Sequence, residues 1–217
     1  MSERDPLALA FFVGTKGRGS NLFAVHEAIQ TGRLAARVAA VIGTRTDAPA
    51  IQRAEEAGLP VRIVDPKRLE GGEGAYEATL LATLRETGAA TIVLAGFLRR
   101  LPSGVVRAFR HRILNIHPAL LPAFGGKGMY GIYVHQAVLE HGCKVSGCTV
   151  HFADETYDTG PIIAQRAVPV EEGDTPEDLA ARILPCEHTL LVEALQLIAA
   201  DRITVEGRVV HIAPEVR

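Results

Sequence analysis

Short apolar runs alternate with amphipathic segments along the first 117 residues, and this order leaves few folds open to the chain. Residues 7–13 are continuously apolar, as expected of a strand that is covered on both faces. Apolar side chains then recur at helical spacing in residues 20–32, where Ser20 is the expected N-cap and Gly32 the expected end. Strands that alternate with helices in this way predict right-handed βαβ units and a parallel sheet.

The alternation continues to residue 117 and then changes character. The predicted strands of the first part are residues 7–13, 37–44, 61–64, 91–96 and 112–117, and its further predicted helices are residues 48–58, 75–87 and 102–109. The later elements are predicted as strands at 144–154 and 160–170, a long helix at 176–200 and a last strand at 208–212. Because no linker, repeat or low-complexity segment interrupts the chain, we predict one doubly wound α/β domain with an extended sheet over residues 1–217.

The composition argues against several classes of protein. The 217 residues are 47% hydrophobic and 22% charged, which is ordinary for a globular protein with a sizeable core. The formal net charge of −2 gives no electrostatic basis for binding nucleic acid or an anionic membrane. No segment approaches the roughly 20 apolar residues of a membrane span, and residues 7–13 follow mixed charge and lack the cleavage site of a signal peptide. Cys143, Cys148 and Cys186 form no CxxC pair, so we expect reduced thiols in the cytoplasm.

A glycine-rich loop, residues 14–21 (GTKGRGSN), joins the first predicted strand to the first predicted helix. Glycines let an anion approach the backbone closely, and the start of a helix offers unpaired N–H groups. The loop lacks the Lys-Ser/Thr of a Walker loop after Gly19, and Leu22 stands where the dinucleotide fingerprint needs its third glycine. We therefore predict a site for one terminal phosphate, with Ser20 and Asn21 as side-chain donors. The alternative is a plain turn capped by Ser20.

The strand predicted at residues 112–117 ends on two hydrogen-bonding side chains, Asn115 and His117. Side chains two residues apart on a strand share a face, so both should project together from the carboxyl end of this strand. An amide N–H and an imidazole make a competent pair for stabilising an oxyanion or moving a proton. The alternative is that both side chains only satisfy loop backbone around the prolines that follow.

A second polar cluster follows the point near Phe152 where the next strand is expected to end. Asp154, Glu155 and Asp158 crowd this loop. A carboxylate from the loop beside His117 would raise the pKa of the imidazole and fix its tautomer. The alternative is an acidic surface turn. No third set of ligands accompanies the cluster, so we expect no metal ion.

Six separated sequence blocks resemble one known family along nearly the whole chain. In chain order they are KGRGSNL, LAGFLRRL, NIHPALLP, GKGMYG, VHFADETYDTGPII and EEGDTPEDLAARILPCEHTLL. They are similar to those of phosphoribosylglycinamide formyltransferase, the folate-dependent enzyme of purine synthesis. The resemblance implies a Rossmann-like domain with a phosphate- and ribonucleotide-binding half at residues 1–110 and a folate-binding and catalytic half at residues 111–217. It also implies an enzyme that moves the formyl group of 10-formyltetrahydrofolate to the amine of glycinamide ribonucleotide without a metal ion. We expect this enzyme to be cytoplasmic and either monomeric or homodimeric.

The resemblance assigns roles to particular residues. The implied catalytic side chains are those of Asn115, His117 and Asp158. The implied substrate-binding residues are Gly17, Gly19, Ser20 and Asn21 for the phosphate and Glu187 for the glycinamide end. The implied folate-binding residues are Leu98, Arg99, Arg100, Leu101, Asn115, Asp154, Glu155 and Asp158. As the amine attacks, Asn115 and a protonated His117 would stabilise the negative formyl oxygen, while Asp158 would keep His117 charged and help to move a proton to N10.

Some positions depart from the pattern of the family. Ala119 stands where the family usually has serine, and Gly125 where it usually has proline. Neither is expected to touch the three catalytic side chains, so we expect effects on loops only. Around Glu73 some relatives carry an arginine that faces the folate tail, and the resemblance leaves that contact open. The glycines of residues 125–131 predict a flexible loop that closes over the folate and excludes water.

Three other functions share parts of this pattern. A transferase acting on initiator methionyl-tRNA should carry a basic C-terminal RNA-binding domain, whereas this chain ends soon after residue 212 and is slightly acidic. A formyltetrahydrofolate hydrolase should carry an N-terminal regulatory domain, whereas the first strand is expected at residue 7. A non-catalytic nucleotide-binding module would need the glycine loop but not the Asn/His/Asp set. We therefore expect the ribonucleotide formyltransferase.

Overall fold

The computed structural model describes residues 5–215, which fall into two compact units. The first unit ends at Ile113 and the second begins at Leu114. Residues 1–4 and 216–217 lie outside the described part. The signal-peptide prediction depends partly on the charged residues within 1–4, so it also lies outside the described part. One domain over residues 1–217, with halves that meet after residue 110, stays a prediction.

Four parallel strands form the sheet of the first unit, in the spatial order β3-β2-β1-β4. The strands are β1 (Leu7–Val13), β2 (Ala36–Gly43), β3 (Val61–Ile63) and β4 (Thr91–Ala95), and the helices are α1 (Ser20–Gln30), α2 (Pro49–Glu56), α3 (Gly72–Glu86) and α4 (Ser103–Ala108). β1 pairs with β2 on one side and β4 on the other, and its residues from Leu9 to Val13 are at most 1% exposed. Burying apolar surface contributes roughly 25 cal/mol per Å². The most continuously apolar run of the sequence therefore takes an inner position of the sheet.

The helices of the first unit differ from the prediction mainly at their starts. α1 begins at Ser20 itself, because the N-cap is Gly19 with a left-handed φ of 70° and no side-chain cap bond. Ser20 as the N-cap is therefore wrong: a left-handed turn at this point favours glycine over serine. α3 begins at Gly72, before the predicted start at residue 75, after Gly71 turns the chain with a φ of 105°. Gly32 beyond the end of α1 is confirmed as the stop and has a φ of 72°.

Antiparallel pairing distinguishes the second unit, where β6 lies between β5 and β7. The elements are β5 (Ile113–His117), α5 (Ile132–Glu140), β6 (Val145–Phe152), β7 (Ile162–Pro169), α6 (Pro176–Ala199), β8 (Ile203–Glu206) and β9 (Val209–Ile212), with the first residue of β5 closing the first unit. β8 and β9 form a separate hairpin. The sequence does not predict α5 and β8, because α5 follows a glycine-rich segment and β8 is only 4 residues long.

A capping box starts α6 at the predicted position. The Thr175 hydroxyl accepts the backbone N–H of Asp178, and the Asp178 carboxylate accepts the backbone N–H of Thr175. Pro185 lies inside this helix, where it removes one backbone donor. Among the described residues, no helix combines the length and the hydropathy that a membrane span requires.

Candidate active site

β5 places Asn115 and His117 on the same face of the second unit's sheet. Across the antiparallel pairing, Asn115 faces His151 and His117 faces Thr149 on β6. The side chain of Asn115 is half-buried, whereas His117 is only 3% exposed. The strand and the shared face are as predicted, and the two side chains point to the face that also carries the polar residues of β6.

Asp158 reaches both of these side chains from the loop that follows β6. Its Oδ1 accepts a hydrogen bond from Asn115 Nδ2 at 3.3 Å, and its Oδ2 lies 3.7 Å from His117 Nδ1. The backbone N–H of Gly126 donates to Oδ2 at 2.8 Å. Asp158 has a left-handed φ of 58°, which turns the chain sharply at the point where the carboxylate is presented. The structure thus brings together the side chains of Asn115, His117 and Asp158, which the sequence analysis predicts to form one site.

Both ring nitrogens of His117 face oxygen acceptors. Nε2 donates to the backbone carbonyl of Phe124 at 2.8 Å, and Nδ1 is directed at Asp158. Burial nevertheless lowers the pKa of His117 below its ordinary value, and this outweighs the Asp158 carboxylate and the Phe124 carbonyl, which both raise it. The prediction that Asp158 keeps His117 charged during the reaction stays a prediction, because this net direction of the shift applies to the substrate-free protein. The carboxylate acts in the expected direction, but the desolvation of a nearly inaccessible ring dominates.

Asp158 itself is held in the ionised form. Burial raises the pKa of its carboxyl, but the hydrogen bonds of His151 and of the Gly126 N–H and the nearby imidazole of His117 together bring the pKa below its ordinary value. A carboxylate that accepts several donors is stabilised in its charged state. The site therefore holds the negative charge of Asp158 beside an imidazole whose pKa is lowered by burial.

His151 belongs to this cluster and is not anticipated by the sequence analysis. Its Nε2 lies 3.0 Å from Asn115 Nδ2 and 3.6 Å from Asp158 Oδ1, and its side chain is 1% exposed. The sequence does carry a signal for it: Thr149 and His151 are polar residues two apart near the end of β6, the same pattern that singles out Asn115 and His117.

Thr149 fixes the loop that follows His117. Its hydroxyl donates to the carbonyl of Ala119 at 2.6 Å and accepts from the Leu121 N–H at 3.1 Å. The side-chain amide of Gln165 donates both to Thr149 Oγ1 at 3.0 Å and to the Leu121 carbonyl at 2.9 Å. Thr149 is completely buried, so this network stabilises the backbone that leads away from the site.

Gly125 lies directly against Leu121 and Asp158. A Cβ atom at this position would come within 2.6 Å of Leu121 Cδ2 and 3.2 Å of Asp158 Cβ. The expectation that this departure from the family pattern does not touch the three side chains is therefore wrong for Gly125. Ala119, the other departure, accepts a hydrogen bond from the Thr149 hydroxyl through its backbone carbonyl.

The predicted phosphate loop lies in the first unit and is tightly packed at its start. A Cβ at Gly14 would come within 2.1 Å of the Gly96 carbonyl oxygen, so only glycine fits there. At Gly17 nothing lies within 4 Å of such an atom, and packing does not explain the glycine. The Arg18 carbonyl accepts a hydrogen bond from Arg53 Nη1 at 2.6 Å. Ser20 and Asn21 begin α1 beside this loop, as a site at a helix start requires.

The predicted folate-binding segment follows β4 in the first unit. Leu98 is 53% exposed, Arg99 and Arg100 are exposed, and Leu101 is half-buried. The Arg99 guanidinium stacks 4.9 Å from the ring centroid of Tyr76. An apolar and cationic surface of this kind suits a ring with an acidic tail.

The remaining predicted contacts lie in the second unit. Glu187 is half-buried on α6, two residues after Pro185. Asp154 shapes its own loop, since its carboxylate accepts the Thr156 N–H at 2.8 Å and the Thr159 hydroxyl at 2.9 Å, and Glu155 is exposed. These residues are placed by the structure, but their ligand contacts stay predictions.

The described residues contain neither a cluster of possible metal ligands nor a disulfide. Within residues 5–215, no three His, Cys, Asp or Glu side chains are grouped so that they could hold a metal ion. Cys143, Cys148 and Cys186 are unpaired, and burial raises the pKa of the Cys148 thiol to about 12. A thiol with so high a pKa is unreactive at neutral pH, as expected of a small apolar filler.

The chain is similar in sequence to proteins of one family. The sequence model of the family described as "Formyl transferase" matches residues 9–195. The chloroplastic phosphoribosylglycinamide formyltransferase of Arabidopsis thaliana is 44% identical over 202 residues, which cover 93% of this chain and 69% of that protein. The phosphoribosylglycinamide formyltransferase of Escherichia coli (strain K12) is 34% identical over 187 residues, 86% of this chain and 85% of that protein.

The fold agrees with these similarities. The crystal structure of glycinamide ribonucleotide transformylase 1 from Symbiobacterium toebii matches with a TM-score of 0.89 and 42% identity, and the match covers 98% of this chain and 96% of that one. The predicted class, a Rossmann-like doubly wound and mostly parallel sheet with helices, C-terminal strands and a long helix, is thereby confirmed. The predicted formyl transfer activity is confirmed at the level of the family. The chain belongs to the phosphoribosylglycinamide formyltransferase family, within the formyl transferases.

Proposed function

We propose that the protein transfers the formyl group of 10-formyltetrahydrofolate to the amine of 5'-phosphoribosylglycinamide in de novo purine biosynthesis. The observation that carries this proposal is the convergence of Asn115, His117 and Asp158 within 3.3–3.7 Å. An amide donor, an imidazole and a carboxylate in one cluster suit the attack of an amine on a formyl carbon. The glycine loop of the first unit favours an acceptor that carries a phosphate.

The proposed chemistry follows from the charge states of the site. As the amine nitrogen bonds to the formyl carbon, negative charge develops on the formyl oxygen, and Asn115 Nδ2 donates a hydrogen bond to it. A protonated His117 beside Asp158 stabilises the same oxygen, and the Asp158 carboxylate takes, through a water, the proton that the attacking nitrogen loses. The bond from the formyl carbon to N10 then breaks, and the proton passes to N10. One oxyanion donor is worth about 3 kcal/mol, or roughly a hundredfold in rate.

Two sets of residues would hold the substrates. For the ribonucleotide they are Gly17, Gly19, Ser20, Asn21 and Glu187. For the formyl folate they are Leu98, Arg99, Arg100, Leu101, Asn115, Asp154, Glu155 and Asp158. Formyl transfer in the family supports the folate donor, and the exposed side chains after β4 provide an apolar and cationic surface for it.

Residues 125–131 would act as a lid over the folate. Gly126, Gly128 and Gly131 all have positive φ angles, and the Gly126 N–H already contacts Asp158. Closure of the loop would therefore be coupled to the position of the catalytic carboxylate. Structures determined with and without a folate analogue test this, and an unchanged loop would contradict the lid.

The acceptor is tested by following the absorbance of 10-formyltetrahydrofolate. Loss of the donor that requires glycinamide ribonucleotide supports the proposal. Loss with water alone would favour a formyltetrahydrofolate hydrolase, and no loss with either would favour a non-catalytic nucleotide-binding module.

The catalytic role is tested by Asp158→Asn, which should lower kcat about a hundredfold or more and leave the fold intact. The matched control is Asp201→Asn, because Asp201 also has a left-handed φ, of 54°, but lies after α6. Near-normal turnover of the Asp158 variant would remove this residue from the mechanism.

The remaining assignments concern the setting of the enzyme. We place it in the cytoplasm, as a monomer or homodimer that binds small molecules and neither nucleic acid nor a membrane. The name of the Arabidopsis relative specifies the chloroplast, so cell fractionation is the decisive test of location. Light scattering on the purified protein tests the oligomeric state.

A further inference from the structure

We propose that Glu77 is a positioning residue for the formyl-folate donor. Its carboxylate, on α3, fixes the start of α4 and with it the end of the segment formed by residues 98–101. This inference rests on the proposed function, because that segment is the one assigned to the folate. Both helices and the segment belong to the first unit, which ends at Ile113.

The start of α4 leaves a backbone N–H without an acceptor inside the helix. Pro102 is the N-cap and makes no side-chain cap bond, and its carbonyl accepts the N–H of Val106 at 3.1 Å. The N–H of Gly104 lies one residue after the start of the helix, so it has no carbonyl of α4 to reach. Glu77 Oε2 accepts this N–H at 2.6 Å, from a position 27 residues earlier in the chain. The carboxylate thereby satisfies an unpaired donor and faces the positive end of the helix.

The residue that receives this carboxylate is a glycine for reasons of space. Gly104 does not take a left-handed φ, so its backbone conformation is open to other residues. A Cβ atom at this position would overlap the Glu77 carboxyl group, whose carbon and two oxygens would all lie closer than 3 Å. Glycine also weakens a helix of only 6 residues. The half-buried Glu77 and the glycine that makes room for it therefore form a matched pair, in which the contact and not helix formation determines residue 104.

The preceding residue of α3 holds the same segment at a second point. Tyr76 is 1% exposed, and the Arg99 guanidinium stacks 4.9 Å from its ring centroid. Pro102, which directly follows the segment, is buried. A stacked arginine at an exposed position is a weak contact, whereas the hydrogen bond of a carboxylate to a backbone N–H is charge-assisted and has a fixed direction. Of the two contacts from α3, the one made by Glu77 is therefore the stronger.

The segment itself exposes the side chains that would meet the folate. Leu98 is 53% exposed, and Arg99 and Arg100 are exposed. Its order therefore depends on contacts at its ends more than on burial of these side chains. A segment that becomes ordered only when the ligand arrives binds more weakly, because ordering its side chains costs free energy. Loss of the Glu77 contact should consequently raise KM for the donor and leave kcat nearly constant.

Substitutions at Glu77 separate positioning from general stability. Glu77→Ala removes the acceptor, whereas Glu77→Gln retains an oxygen in its place. We expect the Ala variant to raise KM for 10-formyltetrahydrofolate about three- to tenfold, with little change in kcat or in KM for glycinamide ribonucleotide, and the Gln variant to stay within about twofold of the wild type. Glu86→Ala, at the exposed end of the same helix, is the matched control and should change neither KM. Equal increases in both KM values, or an unaltered KM for the donor, would overturn the positioning role.

A double-mutant cycle with Gly104→Ala decides whether Glu77 acts through this backbone contact. In the wild type the added Cβ displaces the carboxylate, so Gly104→Ala should raise KM for the donor as much as Glu77→Ala does. When Glu77 is already alanine the space is open, and Gly104→Ala should change this KM less than about twofold. Full effects in both backgrounds would overturn the inference. If Glu77→Ala does not fold, Glu77→Asp takes its place, because it keeps the charge but withdraws the carboxylate from Gly104.

Hydrogen exchange provides a readout that does not depend on turnover. The Gly104 N–H should be protected in the wild type and in Glu77→Gln, and should exchange faster in Glu77→Ala, because no carbonyl of α4 can replace the carboxylate. A Gly104 N–H that exchanges freely in the wild type, or equally slowly in Glu77→Ala, would overturn the inference even if turnover is confirmed.

Binding of tetrahydrofolate, the product that formyl transfer leaves behind, separates this inference from the proposed function. Calorimetric titration should show that Glu77→Ala binds tetrahydrofolate about three- to tenfold more weakly than the wild type. A wild-type protein that binds tetrahydrofolate in this Glu77-dependent way without acceptor-dependent turnover would refute the proposed function and support the inference. Equal affinities of the two proteins would overturn the inference whatever the turnover.

Discussion

Replacement of Thr149 by valine should destabilise the protein more than any change of shape would explain. Valine has the shape of threonine but lacks the hydroxyl, which here makes one donated and two accepted hydrogen bonds. The Ala119 carbonyl and the Leu121 N–H would both lose their partner inside the protein, and these residues are 0% and 5% exposed. Gln165 loses least, because it is exposed and keeps its bond to the Leu121 carbonyl.

The magnitude follows from the two buried groups. An unsatisfied buried donor or acceptor costs about 1–3 kcal/mol, so the free energy of unfolding should fall by about 3 kcal/mol. The assay is urea unfolding followed by circular dichroism, with comparison of midpoints at constant slope. Thr149→Ser is the matched control: it keeps the hydroxyl and loses one methyl group, which costs only about 1 kcal/mol.

The order of the three proteins is the critical result. We expect the wild type to be the most stable, the serine variant to be intermediate and the valine variant to be the least stable. A valine variant within about 0.5 kcal/mol of the wild type, or one more stable than the serine variant, would show that the hydroxyl network does not carry the stability assigned to it.

Other contacts give predictions of their own. Arg53→Met removes the hydrogen bond to the glycine loop and should raise KM for glycinamide ribonucleotide about tenfold at nearly constant kcat; steady-state kinetics that show a loss of kcat alone would contradict this. Arg208→Ala removes a 2.7 Å bond to the Thr159 carbonyl, beside the catalytic aspartate, and should lower kcat about fivefold, with unaltered kcat as the contrary result. Burial lowers the pKa of His117 and His135, so both rings resist protonation in the folded protein. The free energy of unfolding should therefore be highest above about pH 6.5 and should fall as the pH drops below that value. Urea unfolding at several pH values checks this, and a flat profile would exclude it.

Periodicity and chain order predict the parts of this protein that local rules determine. β1 and β5 are continuous apolar runs, and their positions follow from the sequence because central strands need little else. Asn115 and His117 are predictable for the same reason, since polar side chains at the end of such a strand have few structural explanations. The start of α6 is predictable from the Thr175–Asp178 pair, which satisfies helix donors locally.

Features that depend on distant contacts are not predictable in this way. The pKa of His117 is lowered mainly by the burial that surrounding elements impose, so the net direction of its shift does not follow from the Asp158 carboxylate alone, which raises it. His151 acquires its importance from the register between β5 and β6, which single-strand patterns do not contain. Gly19, and not Ser20, is the N-cap of α1, because residue 19 takes a left-handed backbone conformation that glycine allows but does not require. For His117 and His151, a neighbour remote in the chain decides the outcome.

The side-chain hydrogen bonds among Asn115, His117, His151 and Asp158 all close within residues 114–217, whereas the glycine loop belongs to the other unit. The groups proposed to act on the formyl carbon are thus encoded in a separate stretch of the gene from the loop proposed to bind the phosphate. Mutation or recombination in the stretch that encodes the glycine loop can change which acceptor is recognised, while Asn115, His117 and Asp158 stay unchanged. A scaffold divided in this manner lends itself to the evolution, or the engineering, of transferases that deliver the same one-carbon unit to new amines.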